Sequence, residues 1–225
     1  MKILYEDNHL LGVEKPINVP VQADASKDPD LLSLLKAYLI EKYNKPGQAY
    51  LGLVHRLDRP VGGAMVFAKT SKAASRLSRD LQNHSIQRQY LAIVNGRVKV
   101  PQDTLIHYLQ KNNQTNITSV VGKNQPQAKK AILHYHKIAE HDNYSLLNVK
   151  LETGRSHQIR VQMAAIGHPL FGDQKYGQAI NKVGQQLALW AHQLEFNHPT
   201  KKEPITLISK PPQHGLWNFF EYKDI

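Results

Sequence analysis

The most constraining stretch of this sequence runs from Leu53 to Thr70 and reads LVHRLDRPVGGAMVFAKT. It places an acidic residue, Asp58, between two arginines and follows it with Pro60, two glycines and an uninterrupted apolar run. Proline and glycine mark turns, and a short apolar run bounded by turn residues is typical of a buried strand. The stretch therefore predicts a carboxylate held on a turn immediately before a buried strand.

The residues around Asp58 bear on what its carboxylate can do. Arg56 and Arg59 flank it, and nearby positive charge favours the ionised form of a carboxyl group. An ionised carboxylate suits a nucleophile or a base better than a proton donor. These residues alone are equally compatible with a solvated surface turn, because exposed ion pairs are common and weak. In either case Gly62 and Gly63 allow another backbone segment to approach closely.

The charge balance narrows the class of partner. The chain has 29 Lys plus Arg against 18 Asp plus Glu, a net charge of +11, which predicts a polyanionic partner such as RNA, DNA or an acidic membrane surface. No apolar run approaches the roughly 18 residues that a membrane-spanning helix needs. Glu6 and Asp7 interrupt the N-terminus where a signal peptide would be apolar, so a cytoplasmic location is expected. The absence of cysteine excludes disulfides and cysteine-ligated metal sites.

Apolar periodicity and turn residues predict the secondary structure. Strands are predicted at residues 2–6, 9–13, 63–69, 89–95, 131–139, 144–151, 187–196 and 204–208. Helices are predicted to begin at caps supplied by Asp28, Ser71 and Ser156, the last of them running through Ala165. Residues 101–127 are polar and rich in Asn and Gln, and they predict loops or an irregular hairpin.

Several further motifs lie along the chain in a recognisable order. Residues 153–160 read TGRSHQIR, followed by GHPL at 167–170, GD at 172–173 and YG at 176–177. Residues 88–92 read RQYLA, and the opening contains LYED at 4–7 and VEKP at 13–16. Together with HRLD at 55–58, these blocks resemble the motifs of the RluA-type pseudouridine synthase family, across nearly the whole chain.

The resemblance implies a fold and a function. The fold is a mixed α/β (α+β) catalytic domain with a largely antiparallel central sheet flanked by helices, expected to span residues 1–225 as a single domain without a separate N-terminal RNA-binding domain. The implied reaction converts uridine within RNA to pseudouridine. No cofactor, metal or energy source is expected, because substrate and product are isomers. Structured RNA is the expected partner, ribosomal RNA first and transfer RNA second, and the protein is expected to be a monomer.

The resemblance also implies catalytic residues. Asp58 would attack the sugar carbon, stabilise it or remove a proton from it, and the sequence leaves these alternatives open. Arg155 would pair with Asp58 and keep it ionised. Tyr90 would stack on the uracil, with its hydroxyl near the proton that must leave C5.

Four more residues are expected to contact the RNA. An enzyme that acts on a base takes it out of its stack, and Arg56 is suited to filling the gap left behind. Ile159 would form an apolar wall of the pocket. His157 and Arg160 are the remaining predicted RNA contacts.

One departure from the family's motif runs against this interpretation. Where many family members have Thr-Ser-Gly after the aspartate, this chain has Pro60-Val61-Gly62, which removes two hydroxyls and puts substrate preference in question.

Three other classes of protein compete with this interpretation. A metal hydrolase built from Asp58, His55, His157 and His168 lacks a tight ligand motif. A noncatalytic RNA-binding module gives no reason for a carboxylate among cations, where it would repel phosphate. A basic membrane-surface protein would need a segment with one apolar and one Lys/Arg-rich face, and none is present.

Overall fold

The computed structural model describes residues 2–220. Its chain contacts divide it into two compact units. The first comprises the residues up to Gln87 together with Ala191–Lys210, and the second comprises Arg88–Trp190 together with the residues from Pro211 onward.

The described residues form eleven strands and three α-helices, numbered in chain order. The strands are β1 (Lys2–Glu6), β2 (Leu10–Lys15), β3 (Gly52–Leu53), β4 (Gly62–Ala68), β5 (Gln87–Asn95), β6 (Gln102–Asn112), β7 (Ile117–Val121), β8 (Lys129–His141), β9 (Tyr144–Leu151), β10 (Leu189–Asn197) and β11 (Pro204–Ile208). The helices are α1 (Leu31–Lys42), α2 (Ser71–Gln82) and α3 (Gln158–Ala165), and a 3₁₀ helix spans Gly215–Phe219. None of these described helices is long and apolar enough to cross a membrane.

The first unit is a sheet with its core against α2. Its strand order is β1-β2-β4-β10, with β11 paired to β10 and β3 paired to β4. The pairing of β2 with β4 is antiparallel, from Leu10 opposite Ala68 to Lys15 opposite Gly63. α2 contributes Leu77 to a buried apolar cluster that the strands complete. Burying a leucine side chain contributes roughly 1.5–3 kcal/mol, so this cluster holds the helix on the sheet.

The second unit is an antiparallel sheet in the order β5-β9-β8-β6-β7. β8 and β9 form the hairpin that the sequence predicts. Of the two alternatives predicted for residues 101–127, loops or an irregular hairpin, the structure shows the hairpin, because most of these residues form the long strand β6 and the shorter β7, which pair antiparallel. Their polar residues alternate with buried ones such as Leu105 and Leu109, so one face of the hairpin is covered and the other is solvated. The predicted mixed α/β fold with a largely antiparallel sheet is confirmed.

Two predicted helix caps are displaced along the chain. α1 is capped by Asp30 and not by Asp28, since the Asp30 carboxylate accepts a hydrogen bond from the Ser33 amide. α2 is capped by Thr70 and not by Ser71, since the Thr70 hydroxyl accepts from the Ala73 amide. In both places a second residue of cap-forming type lies within two positions of the true cap, and the sequence pattern does not separate them.

Glu6, at the end of β1, joins three elements of the first unit. Its carboxylate accepts hydrogen bonds of 2.7–3.1 Å from four donors: the Tyr38 and Tyr43 hydroxyls and the Lys42 and Lys69 ammonium groups. Burial raises the pKa of Glu6, but these hydrogen bonds outweigh burial and lower the pKa to about 2. The ionised carboxylate therefore stabilises the contact of α1 with the ends of β1 and β4.

We expect Glu6→Gln to lower the free energy of unfolding near pH 7 by about 2 kcal/mol, because hydrogen bonds to a charged group are lost. The folded-state pKa lies below the ordinary value of 4.5, so the contribution is complete above pH 4.5 and is lost as the pH falls through about 2. Urea denaturation at pH 7, 5, 4 and 3 measures both effects. Glu41→Gln, an exposed change on α1, is the matched control, and equal stability of the two variants at pH 7 would contradict the assignment.

Candidate active site

Asp58 lies on a turn that leads directly into β4. The Val61 amide donates to the Asp58 carbonyl at 3.0 Å, and all of β4 is buried. Asp58 itself is half-buried. Gly63 has a φ of +120°, and a Cβ at that position would lie 2.2 Å from the Ala191 carbonyl oxygen. The predicted turn before a buried strand is therefore present, and the second glycine is required because the backbone of β10 approaches so closely.

The side chain of Lys15, at the end of β2, holds the backbone of this turn. Lys15 is fully buried, and its Nζ donates to the carbonyls of Arg59 at 3.0 Å, Val61 at 2.7 Å and Pro16 at 2.9 Å. Three acceptors match the three N–H groups of an ammonium. Burial lowers the pKa of Lys15 to about 7, an effect that the charge of Asp58 opposes and the charge of Arg59 reinforces. One buried side chain thus fixes the Asp58 turn relative to β2.

The pKa of Lys15 predicts a pH dependence of stability. Its folded value of about 7 lies below the ordinary value of 10.5, so the unfolded chain binds more protons between these limits. Stability should therefore rise with pH from about 7 towards 10.5. We expect Lys15→Met to remove this rise, which urea denaturation of both proteins between pH 6 and 10 measures. The exposed Lys45→Met serves as control, and parallel stability curves for the wild-type protein and Lys15→Met would contradict the assignment.

The two arginines beside Asp58 have different surroundings. Arg56 is exposed. Arg59 is bound to the loop of residues 16–30, where it donates to the Asn18 carbonyl, the Ser26 hydroxyl and the Asp28 carboxylate, with the Asp24 carboxylate at 3.9 Å. Arg59 therefore shares its charge with two loop carboxylates, whereas the sequence suggested that it serves Asp58.

Tyr90 lies near the start of β5 in the second unit. It is opposite Val149 of β9, and only 8% of its surface is exposed. Neighbouring Gln89 projects to the other face of the strand, where it accepts a hydrogen bond from the Asn148 side chain. Tyr90 thus lies on a rigid scaffold strand, as the sequence predicts, and its catalytic role stays a prediction.

A buried amide organises the TGRSHQIR block. The Gln158 side-chain oxygen accepts from the Arg155 amide at 2.9 Å and from the Thr153 hydroxyl at 2.8 Å, and its NH₂ group donates to the Ile132 carbonyl at 3.0 Å. These contacts close the turn before α3. Ser156, the predicted cap of this helix, does not cap it, because α3 begins at Gln158 and is preceded by His157 in the left-handed conformation, φ +53°.

Arg155 is exposed and oriented by the neighbouring strand. Its Nε donates to the Lys130 carbonyl at 2.9 Å. The adjacent Gly154 leaves room for another guanidinium, since a Cβ there would lie 2.4 Å from a terminal nitrogen of Arg88. The pairing of Arg155 with Asp58 that the family resemblance implies stays a prediction.

Arg160, on α3, forms a buried ion pair with Asp173. Its Nε and one terminal nitrogen each donate to an Asp173 oxygen at 2.8 Å. Burial raises the pKa of Asp173, but the bonds from Arg160 and from the Lys175 and Tyr176 amides outweigh burial and lower the pKa. Asp173 lies in the loop that follows Leu170, which forms an isolated β-bridge with Val94. The ion pair holds this loop against α3. This gives Arg160 a structural role, and its predicted RNA contact stays a prediction.

His157 connects α3 to β7 through Tyr176. Its Nδ1 lies 2.6 Å from the Tyr176 hydroxyl, which also accepts a hydrogen bond of 2.9 Å from the Thr118 amide. Burial is the main cause of the raised pKa of Tyr176. Ile159, one residue into α3, is 4% exposed.

The structure thus places the predicted residues in two groups. Arg155, His157, Ile159 and Arg160 form one continuous block of the second unit, which also contains Tyr90, whereas Arg56 and Asp58 belong to the first unit.

Sequence reasoning missed the positioning roles of Lys15 and Asp173. Each appears in the sequence only as a member of a quoted motif, VEKP or GD, and a lysine or aspartate in such a place is ordinarily exposed.

Among residues 2–220, no three His, Asp or Glu side chains are grouped so that they could hold a metal ion. His55 is one of the residues from which the metal-hydrolase alternative would be built. Its Nε2 accepts a hydrogen bond of 3.2 Å from the Val66 amide. Its position is explained by this contact with β4.

Comparison with known proteins agrees with the motifs. Residues 9–165 match the family model described as RNA pseudouridylate synthase. The chain is 34% identical over 223 residues to the ribosomal large subunit pseudouridine synthase D of Zymomonas mobilis, covering 95% of this chain and 70% of that protein. It is 29% identical over 245 residues to the tRNA pseudouridine synthase C of Pectobacterium carotovorum, covering all of this chain and 63% of that protein.

A solved structure supports the fold. The human RNA pseudouridylate synthase domain containing 4 matches with a TM-score of 0.79 at 20% identity, covering 94% of this chain and 89% of that chain.

Proposed function

Because the chain belongs to the RNA pseudouridine synthase family, we propose that it converts specific uridines of structured RNA to pseudouridine. Ribosomal RNA is proposed ahead of transfer RNA as the substrate. The relatives named for ribosomal RNA and for transfer RNA support both classes. The Asp58 turn is the observation that supports this chemistry. Its half-buried carboxylate lies just before strand β4, beside the buried and hydrogen-bonded side chain of Lys15.

The proposed reaction is balanced without a co-reactant. The bond between ribose C1′ and uracil N1 breaks, and a bond between C1′ and C5 forms. The proton on C5 leaves and N1 gains one, so that substrate and product are isomers. Nothing is oxidised or reduced, and the proposal therefore assigns no cofactor and no metal.

In this proposal Asp58 acts on the sugar, either as a nucleophile at C1′ or as a base that removes a sugar proton. The position of the turn supports such a role, because its backbone is fixed by Lys15 and does not have to be ordered by the substrate. In this proposal the Tyr90 ring stacks on the uracil, and its hydroxyl lies near the proton that leaves C5. Its placement on β5 gives the ring a fixed orientation.

The remaining residues are assigned to RNA and to support of the site. Arg56, which is exposed, is proposed to fill the space of the base when it turns out of its stack. His157 is proposed to contact RNA, and Ile159 to form an apolar wall. Arg160 holds the Asp173 loop, and an RNA contact by the same side chain is kept as a proposal.

We expect Asp58→Asn to abolish isomerisation while leaving RNA affinity within about two-fold, because the amide keeps the shape of the side chain but supplies neither a nucleophile nor a base. Release of tritium from RNA labelled at uridine C5 measures the reaction, since that hydrogen is displaced when C5 joins the sugar. A filter-binding titration of the same RNA measures affinity. Turnover retained in Asp58→Asn would contradict the role of Asp58, whereas RNA binding without turnover in the wild-type protein would leave a noncatalytic RNA-binding role.

The two arginines of the TGRSHQIR block are expected to respond differently. Arg155→Ala should lower kcat at saturating RNA with little effect on stability, because Arg155 is exposed and its removal uncovers only the Lys130 carbonyl. Arg160→Ala should lower the free energy of unfolding by about 3–5 kcal/mol, because it leaves Asp173 buried and unpaired. Tritium-release kinetics and urea denaturation of both variants test the difference. An unchanged kcat in Arg155→Ala would contradict a catalytic role for that residue.

A further inference from the structure

The second unit contains a cavity of about 270 Å³ that borders Arg155 and extends beyond it along β6, β7 and β8. Its polar and charged lining side chains are Lys111, Asn113, Thr118, Gln127, Lys129, Arg155 and Ser156. Three of them are cations, and none of the described lining residues is acidic. Such a cavity favours an anionic ligand.

The strand register explains why the two lysines lie together. Leu109 is opposite Lys129 in the pairing of β6 with β8, and Lys111 is opposite Thr118 in the pairing of β6 with β7. Leu109 and Lys111 are two residues apart on β6 and therefore project from the same face. The register thus directs Lys111, Thr118 and Lys129 to one side of the sheet.

Thr118 provides a second observation on the wall of the cavity. Its side chain is almost completely buried, at 3% exposed, and among the described residues its Oγ1 has no partner at hydrogen-bond geometry, although the side chain lies close enough to the Tyr176 hydroxyl to oppose the rise of the Tyr176 pKa. A buried hydroxyl without a partner costs free energy, and most such groups in proteins are satisfied. An anionic oxygen in the cavity would accept the Thr118 hydroxyl proton and supply the missing bond.

The walls of the cavity are held in place by contacts outside it. The Thr118 amide donates to the Tyr176 hydroxyl at 2.9 Å, and the Lys175 ammonium donates to the Asn116 carbonyl at 2.9 Å. On the opposite wall Arg155 is oriented by the Lys130 carbonyl. The hairpin of β6 and β7 is therefore fastened to the TGRSHQIR side of the unit, and the cavity does not depend on the ligand for its shape.

We propose that this cavity is a phosphate-binding subsite that receives one backbone phosphate of the RNA substrate through Lys111, Lys129 and the Thr118 hydroxyl. The inference rests on the proposed function for the identity of the ligand, because contacts to RNA phosphates position the substrate without reading its sequence. The subsite would hold the strand that flanks the reacting uridine. Arg155 is left out of its test, since the proposed reaction already gives that residue a role.

Three variants test the subsite: Lys111→Gln, Lys129→Gln and Thr118→Val. Lys99→Gln is the matched control, because Lys99 is an exposed lysine of the same unit outside the cavity. Dissociation constants of a substrate RNA are measured from about 50 to 300 mM salt. We expect each lysine variant to bind RNA several-fold more weakly and to flatten the slope of log affinity against log salt by roughly 0.7 for each lost single-strand phosphate contact. Lys99→Gln should bind as the wild-type protein does.

Thr118→Val separates ligand binding from a structural role. Among residues 2–220 the Thr118 hydroxyl has no partner at hydrogen-bond geometry, and the Thr118 amide still binds the Tyr176 hydroxyl after the change, so the free energy of unfolding should stay nearly unchanged. RNA affinity should nevertheless fall several-fold, with the salt slope unchanged, because a neutral hydrogen bond releases no counterion. Loss of stability with unchanged affinity would overturn the inference.

The source of the phosphate is tested by a titration with inorganic phosphate alone, followed by calorimetry or by NMR shifts. If inorganic phosphate binds the wild-type protein but all three variants bind RNA as Lys99→Gln does, the cavity takes a free anion and the inference is overturned. If phosphate competes with RNA in the wild-type protein and not in Lys111→Gln, the subsite is supported. Absence of pseudouridine with the wild-type protein would instead contradict the proposed function. The RNA-binding measurements on the variants do not depend on turnover, so they test the subsite in that case too.

Discussion

The ammonium group of Lys15 is the contact on which the candidate site depends. It binds three carbonyls, two of them inside the Asp58 turn, in a place from which water is excluded. Without this donor the buried Val61 carbonyl would be unsatisfied, at a cost of about 1–3 kcal/mol. Arg59 also joins the Asp58 turn to the loop of residues 16–30. Its carbonyl accepts a hydrogen bond from Lys15, and its guanidinium group donates hydrogen bonds to the loop. The carboxylate of Asp58 is consequently carried by backbone that is already ordered before any substrate arrives.

The distribution of ion pairs shows how a protein with a net charge of +11 uses its carboxylates. Buried or clustered acids are used to build structure: Glu6 binds Lys42 and Lys69, and Asp173 binds Arg160. The lysine-rich cavity between β6, β7 and β8 has no acidic residue among its described lining residues. Positive charge is thus concentrated where a phosphate can approach.

The sequence predicts the elements better than the contacts between them. The Asp58 turn, β4 and the β8–β9 hairpin follow from apolar runs bounded by turn residues, and these signals are local. For β6 and β7 the sequence left loops and an irregular hairpin open, because a strand with one solvated face and several Asn and Gln residues resembles a loop. The roles of Lys15, Gln158 and Asp173 depend on burial, which arises only when distant segments pack together, so no local pattern could indicate them. The family motifs located these residues without explaining them.

The most direct test of the account is nucleoside mass spectrometry with position mapping on unmodified ribosomal and transfer RNA transcripts, incubated with the purified protein and with its Asp58→Ala variant and no added cofactor. The account predicts that pseudouridine forms at defined positions with the wild-type protein and at none with the variant. The mapped positions would also identify the RNA. Pseudouridine formed equally by both proteins, or by neither on transcripts and on assembled ribosomal particles, would contradict it.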